Sequence, residues 1–275
     1  MVTVTQGIAR ARRGRGPGTI YRRLKSIQYL ATRDRNAVLE FTFASRPGAA
    51  SVAERVSLLR RFVAVTNGVR GYHTLGEMLT VAGAILARSD VPGGGPIVLE
   101  AGCGYGASTA KLSLAVRLAS GRLIACDSFR GIPENDEEHL LMDGRRTRFR
   151  AGAFRGTLAC VERTVRKWGA FEVCRFEKGA FEDTLPRLAQ SESLDIVVLD
   201  VDLASSTRTC VRELWPRLRP GGVLFSLDGQ LRATHEILGD PAFWRHEVGA
   251  PPPQIEGLGA RKLLTLRKSG SGARD

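Results

Sequence analysis

From residue 96 onward this chain alternates short β-rich runs with helical stretches, and no other feature restricts its fold so strongly. Ile97 to Glu100, Arg122 to Asp127, Val173 to Phe176, Leu194 to Asp200 and Val223 to Leu227 read as strands. Ser108 to Ala119, Gly156 to Trp168, Glu182 to Ala189 and Thr207 to Leu218 read as helices. Strands separated by helices imply right-handed crossovers and a largely parallel sheet covered on both faces. The expected fold is α/β, doubly wound. Two last strand candidates, around Phe243 to Val248 and Lys262 to Leu266, are joined through Pro251-Pro252-Pro253 without a helix. They predict an antiparallel terminal pair and a sheet of seven strands.

What precedes this unit reads as a helical extension. Val52, Val56, Leu59 and Val63 recur at helical spacing behind a Ser51 to Glu54 capping box, and the helix closes near Gly68. A second box, Thr74 to Glu77, opens the apolar segment Met78 to Ala87 before Pro92-Gly93-Gly94-Gly95-Pro96 breaks the chain. The expected organisation is a basic arm over 1–35, a helical preface over 36–92, the α/β domain over 93–268 and a frayed tail over 269–275.

Composition removes several classes. The longest apolar stretch covers about half of the roughly 20 residues that a membrane-spanning helix needs, so no membrane association is expected. Residues 1–20 carry arginines but no apolar core of an export signal, which predicts a cytoplasmic protein. Five widely spaced cysteines form no Cys-x-x-Cys pair and read as reduced thiols. The net charge of +13 is unevenly spread: residues 1–35 hold nine basic side chains against Asp34 alone. Such an arm attracts phosphate, yet it carries no interleaved aromatic residues for stacking bases. It reads as a solvated tail or substrate lid before it reads as an RNA-binding device.

In open α/β sheets ligands lie at the carboxyl ends of the strands. The first strand ends Glu100-Ala101-Gly102-Cys103-Gly104-Tyr105-Gly106, an acid followed by alternating glycines. The glycines let backbone approach a ligand, and the acid favours a cationic ligand over a pyrophosphate. Gly102, Gly104 and Ala107 also satisfy the dinucleotide fingerprint, with Asp127 about 20 residues on where a ribose-binding acid is expected. The loop alone leaves both readings open. The set of strand ends, Asp127, Gly179 to Asp183 and Asp200, resembles that of class I S-adenosylmethionine-dependent methyltransferases.

A narrower resemblance rests on four blocks in order: Asp127-Ser-Phe-Arg-Gly-Ile-Pro133, Gly179-Ala-Phe-Glu-Asp-Thr-Leu-Pro186, Leu199-Asp-Val-Asp-Leu-Ala-Ser-Ser-Thr207 and Pro220-Gly-Gly222. Together they resemble the macrocin O-methyltransferase family over roughly 93–228. The resemblance implies a Rossmann-like sheet with an antiparallel last strand, S-adenosyl-L-methionine as cofactor, and methylation of sugar hydroxyls on natural products, usually with Mg2+. It places Glu100, Ala101, Gly102, Tyr105 and Ser108 around the methionine part of the cofactor, with Asp200 nearby. Asp127 and Ser128 would meet the ribose, and Gly179, Ala180 and Phe181 would border the adenine. Carboxylates accept both ribose hydroxyls and an aromatic ring stacks on a base, although Asp127 also reads as a strand-end turn acid and Phe181 as a core aromatic.

The chain departs from the family where two consecutive acids are expected after the Gly-Gly strand, for here the pair is Leu227-Asp228. The resemblance then leaves Asp200 and Asp228 as metal ligands with one position replaced. Methyl transfer to an alcohol also needs a proton acceptor or a Lewis acid. Asp200 is the first candidate for metal ligand or base. His139, in the acid-rich run Pro133-Glu-Asn-Asp-Glu-Glu-His139, is the second, against a plain solvated loop. His73 and Glu77 read first as structural. The leading expectation is a small-molecule O-methyltransferase of antibiotic biosynthesis. N-methylation, RNA methylation through the arm, an NAD-dependent reductase and a non-catalytic binding module are the competitors, and the apolar preface is a candidate homodimer surface.

Overall fold

The computed structural model describes residues 34–44, 50–90, 94–189 and 193–270. Most of the basic arm and of the C-terminal tail lie outside them. Seven strands form one sheet: β1 (Ile97–Ala101), β2 (Arg122–Asp127), β3 (Cys174–Lys178), β4 (Leu194–Leu199), β5 (Leu218–Ser226), β6 (Ile255–Glu256) and β7 (Leu264–Arg267). Their order is β3-β2-β1-β4-β5-β7-β6, with β1 to β5 parallel and β7 antiparallel to both neighbours. The strand order reverses between β1 and β4, which is where such sheets bind ligands.

Alternate residues of the central strands feed two cores, as the two-residue period of a strand requires. Val98, Ile196, Val198 and Phe225 face one side, where α2 (Val52–Gly68), α3 (Leu75–Leu86), α4 (Ala107–Leu118) and α5 (Leu158–Trp168) cover them. Leu99, Val197, Leu199 and Leu224 face the other, under α6 (Phe181–Ala189), α7 (Ala204–Leu214) and α8 (Arg232–Gly239). Burying such a side chain fully contributes roughly 1.5–3 kcal/mol, which is why β4 is uninterrupted apolar residue apart from Asp195. Asp195 is itself fully buried, accepting from the Ile97 amide and from Arg219 Nη1 at 2.9 Å each, and Arg88 Nε lies 3.5 Å away. One carboxylate thereby ties the starts of β1, β4 and β5 to the end of α3.

Both capping boxes form. Glu54 Oε2 accepts from the Ser51 amide at 2.7 Å, and Glu77 Oε2 accepts from the Thr74 amide at 2.6 Å. They fix the starts of α2 and α3, which with α1 (Arg35–Phe43) lie against the sheet's first core.

One expected strand is absent. Phe243 to Val248 is helical, as the short helix Pro241–Phe243 running into the π-helical turn Trp244–Val248. Asp240 caps its start by accepting from the Ala242 amide at 2.8 Å, with Pro241 in the first helical position. Phe243, Trp244 and Val248 do not alternate; all three turn inward to the second core. The indole of Trp244 donates to the Leu238 carbonyl at 2.7 Å and packs edge-on to Trp215. β7 pairs instead with Ile255–Glu256, inside what the sequence presents as a connection.

Residues 128–156 form a long loop whose neck is closed by the Ile132 amide on Ala153 O at 3.0 Å and the Gly152 amide on Ile132 O at 2.8 Å. Its tip is fastened across the sheet by the Met142 amide on Gln230 O and the Arg232 amide on Leu140 O, both 2.9 Å. A loop of that length inside a compact domain is usually functional. No helix among the described residues is long and apolar enough to cross a membrane.

Trp244 is fully buried, so Trp244→Ala should cost about 3–5 kcal/mol, read as a lower midpoint in urea at unchanged slope. A loss below about 1 kcal/mol would show that the π-helical turn is not anchored by the indole.

Candidate active site

β1 and β4 run side by side with Ala101 opposite Leu199, so the turns that leave them start at the same level. Ala101 is buried and its carbonyl accepts from the Asp200 amide at 3.0 Å. Gly102 has φ +92°, and a Cβ there would lie 2.0 Å from Asp200 O. Only glycine fits both requirements. The loop then rises into α4, and Gly156, at the returning end of the long loop, presses so closely that a Cβ would meet Gly104 O at 1.8 Å.

A cavity of about 580 Å³ opens over these turns. Of the expected site residues, Gly102, Tyr105, Ser108, Asp127, Ser128, Gly179, Ala180, Phe181 and Asp200 all lie on its wall. Asp127 Oδ2 accepts from the Cys103 amide at 2.7 Å and Oδ1 from the Phe129 amide at 2.6 Å. It pins the ends of β1 and β2 together. Burial raises its pKa while those amide bonds hold it down. Phe181 opens α6, half-buried, one side on the second core and the other on the cavity.

Glu100 is not on the wall. It is 1% exposed beneath the glycine loop, and neither carboxyl oxygen has a hydrogen-bond partner among the described residues. Burial pushes its pKa up to about 8, against the pull of the neighbouring Ser108 and Thr109 hydroxyls and with the charges of Asp200 and Asp127 adding to the rise. A buried acid in that position disfavours a pyrophosphate, and a cation in the loop would favour its ionised form.

Three carboxylates meet at the other side of the loop. Asp200, Asp202 and Asp228 each offer an oxygen, all within 4.8 Å of one another. Asp228 Oδ2 accepts from the Val201 and Asp202 amides at 2.9 and 3.1 Å, while Oδ1 is buried without a partner among the described residues. Those bonds hold Asp202 at φ +62°, a conformation Asp tolerates better than most residues. Burial and the charge of Asp228 push Asp200 up to about 7, and burial with both neighbours pushes Asp202 up to about 8. Lys262 opposes both shifts. A divalent cation relieves this repulsion, and the donors are the hard oxygens that Mg2+ prefers. Leu227, at the position where the family resemblance led one to expect an acid, is fully buried in the first core with its amide on Leu199 O. Asp202 supplies the third carboxylate instead. The repeated acid in Asp200-Val201-Asp202 is the signal in the sequence, but both lie beyond the end of β4 in a turn that Asp228 shapes by accepting from the Val201 and Asp202 amides.

His139 does not reach the wall. Its Nδ1 accepts from the Phe149 amide at 3.3 Å, and its ring lies edge-on to Phe149. The working acid of that segment is Glu137, whose carboxylate caps α7 by accepting from the Ala204 and Ser205 amides at 2.7 and 3.0 Å. Other wall residues carried no readable motif: Arg70, Tyr72, His73 and Lys262 from outside the sheet, and Phe149 and Phe154 from the long loop. Tyr72 packs edge-on to Phe154 at 4.8 Å, so preface and loop meet through aromatic rings.

The family model described as macrocin-O-methyltransferase (TylF) matches residues 65–240. A curated relative from Streptomyces olivaceus, 8-demethyl-8-(2,3-dimethoxy-alpha-L-rhamnosyl)-tetracenomycin-C 4'-O-methyltransferase, is 28% identical over 209 residues, 73% of this chain and 76% of the relative. Among solved structures, the O-methyltransferase NovP matches with TM-score 0.58 at 18% identity, over 89% of this chain and 99% of that one. The calicheamicin methyltransferase CalS11 matches with TM-score 0.56 at 17% identity, over 99% and 100%. The last two likenesses concern the fold.

The raised pKa of Glu100 gives the site a pH signature. The folded state holds this proton more tightly than the unfolded chain does, so the carboxyl favours folding below its ordinary pKa of 4.5 and loses that advantage as pH rises through about 8. Glu100→Gln should therefore gain on the native protein progressively between about pH 5 and 8 and level off above, in urea unfolding at each pH. A pH-independent difference would mean that Glu100 is not held protonated in the fold.

Proposed function

The chain belongs to the macrocin-O-methyltransferase family and is a class I S-adenosylmethionine-dependent methyltransferase; from that premise we propose that it methylates a sugar hydroxyl of a glycosylated small molecule. The observation that carries this reading is the three-carboxylate cluster beside a glycine loop, with Asp200, Asp202 and the loop lining one cavity with an aromatic outer wall. The glycine loop and the buried Glu100 fit a sulfonium, because the loop admits close backbone contact and an arriving positive charge would draw the carboxyl to its ionised form. In this reading Gly102, Tyr105 and Ser108 hold the methionine part, with Ala101 and Glu100 beneath them. Asp127 and Ser128 take the ribose, and Gly179, Ala180 and Phe181 border the adenine.

Asp200, Asp202 and Asp228 would hold Mg2+, the orphaned Asp228 oxygen being the observation that fits it best. The ion would supply Lewis acidity, lowering the pKa of a coordinated hydroxyl. The protein's own part is positional. In-line displacement needs acceptor oxygen, methyl and sulfur nearly collinear, and effective alignment is worth several kcal/mol of barrier. The Glu137 cap and the loop-tip bonds fasten the long loop over the cavity, where Phe149, Phe154 and Tyr72 offer apolar area to the body of the acceptor and exclude water from the reacting atoms.

Calorimetry with S-adenosylmethionine, followed by methyl transfer from labelled cofactor to rhamnosylated tetracenomycin, tests the reading. Binding and a single O-methylated product are expected; no cofactor binding at millimolar concentration would sink it. Phe149→Ala should raise the acceptor KM about tenfold with cofactor affinity unchanged, since a stacked aromatic is worth roughly 0.5–1.5 kcal/mol beyond its area.

A chelator should stop turnover and Mg2+ should restore it. Asp202→Asn should shift the Mg2+ concentration for half-maximal rate upward by about 10- to 100-fold, in line with losses seen when metal-site partners are removed. Turnover indifferent to chelation would leave the cluster without a metal role.

A further inference from the structure

Four histidines occur in the chain, and only His73 stands on the cavity wall. His139 is engaged with Phe149, as described. His235 uses both ring nitrogens, one 2.7 Å from Gly229 O and the other accepting from the Gly259 amide at 3.2 Å. His246 is exposed on the π-helical turn.

His73 Nε2 lies 3.0 Å from Lys111 Nζ, and Lys111 is 1% exposed. Lys111 sits one turn into α4, on the same face as Ala107. A Cβ at Gly71 would meet the Ala107 methyl at 3.0 Å, so residues 71–73 lie across the amino end of the helix that follows the glycine loop. Among the described residues no carboxylate comes within ion-pair distance of Lys111. Buried ammonium groups are ordinarily paired, so a lysine whose single partner is an imidazole is an exception that calls for a role.

The charges that face this pair come from every side. Glu77 of α3 and Asp34, just before α1, act on Lys111, and Lys262, ahead of β7, acts on His73. Lys262 donates to the Tyr72 carbonyl at 2.9 Å, and its charge also reaches Asp200, Asp202 and Asp228. His73, Lys262, Asp200 and Asp202 line the same cavity, so the imidazole and the acid cluster share its wall. Burial lowers Lys111 to about 7, and burial with the lysine charges holds His73 well below its usual value. Two nitrogens at 3.0 Å cannot both carry a proton along their shared axis, so the pair holds at most one charge.

We propose that His73 is the proton acceptor for the acceptor hydroxyl and that Lys111 is the buried base behind it. The proposal rests on the O-methyl transfer reading. In the reactive form both groups are neutral, Nε2–H of His73 donates to Lys111 Nζ, and Nδ1 is open. As the hydroxyl oxygen bonds to the methyl carbon, the C–S bond breaks and its electron pair stays on sulfur, leaving S-adenosylhomocysteine. The hydroxyl proton passes to Nδ1 while the Nε2 proton passes to Nζ. The imidazole ends neutral with its proton on Nδ1, and the positive charge that left the sulfonium reappears on Lys111. Asp200, Asp202 and Asp228 are then free to act on the cation alone.

Two measurements test this on the full chain. With rhamnosylated tetracenomycin as the probe acceptor, His73→Gln and His73→Asn should each lower kcat by about 10² or more, the usual worth of a general base, with the dissociation constant of S-adenosylmethionine unchanged. Lys111→Met should leave His73 in place but remove the rise of kcat between about pH 6 and 8. Independently of turnover, nitrogen-15 spectra of the His73 ring should show its proton moving from Nδ1 to Nε2 as pH rises through about 7, and this change should vanish in Lys111→Met. If the native enzyme methylates the probe and both His73 variants keep kcat within about 3-fold, the role of His73 is wrong while the function stands. If the ring titrates identically with and without Lys111, the pair is not coupled and the proposal fails. A native protein that binds cofactor but methylates no sugar hydroxyl overturns the function and this role with it.

Discussion

The adjacency of β1 and β4 is the constraint on which the site depends. With Ala101 paired to Leu199, the two strands release their chains at one level, and the next residues must share the same small space. The contact of Gly102 with the Asp200 carbonyl is the result, and it leaves room for no side chain there. The glycine loop and the acid cluster are therefore two sides of one junction, and neither can move without the other. A cofactor held by the loop is brought to the cluster by backbone geometry before any side chain contributes.

Electrostatics then works against folding and toward binding. Glu100, Asp127, Asp200, Asp202 and Asp228 are gathered where water is scarce, and burial raises the pKa of every one of them. Such a concentration is costly to an empty protein and favourable to one that holds cations. The amide bonds to Asp127 and Asp228 show how the fold tolerates the load: each acid also serves as the pin of a turn. The same double duty explains why these residues resist a purely structural or purely functional description.

Reading the sequence recovered the strands up to β5, the helices between them and both capping boxes, because each is written in periodicity or in residues three apart. It failed at Phe243 to Val248, where Phe243 and Trp244 at the start of a mixed segment suggest a strand, and tertiary packing of Trp244 against Trp215 makes it helical. It offered Asp200 and Asp228, without Asp202, as candidate metal ligands, since the turn that gathers the three depends on Asp228 accepting from the Val201 and Asp202 amides. It weighed His139 second to Asp200, against a plain solvated loop, for its acidic neighbours; in the folded protein one of those neighbours, Glu137, caps α7 and the ring lies edge-on to Phe149.

Taken alone, the sequence determined most of the segments that become helices and strands, that the first strand must end in a glycine turn over an acid, and that strand ends would be acidic. These follow from local rules of backbone sterics, capping and burial that act over a few residues. Only the tertiary structure decided which of those residues meet. His73 and Lys111 are 38 positions apart and Tyr72 and Phe154 farther still, and their contacts exist because strand order folds the preface and the long loop onto the same end of the sheet. Strand order is a property of the whole chain's packing, and no short stretch of residues records it.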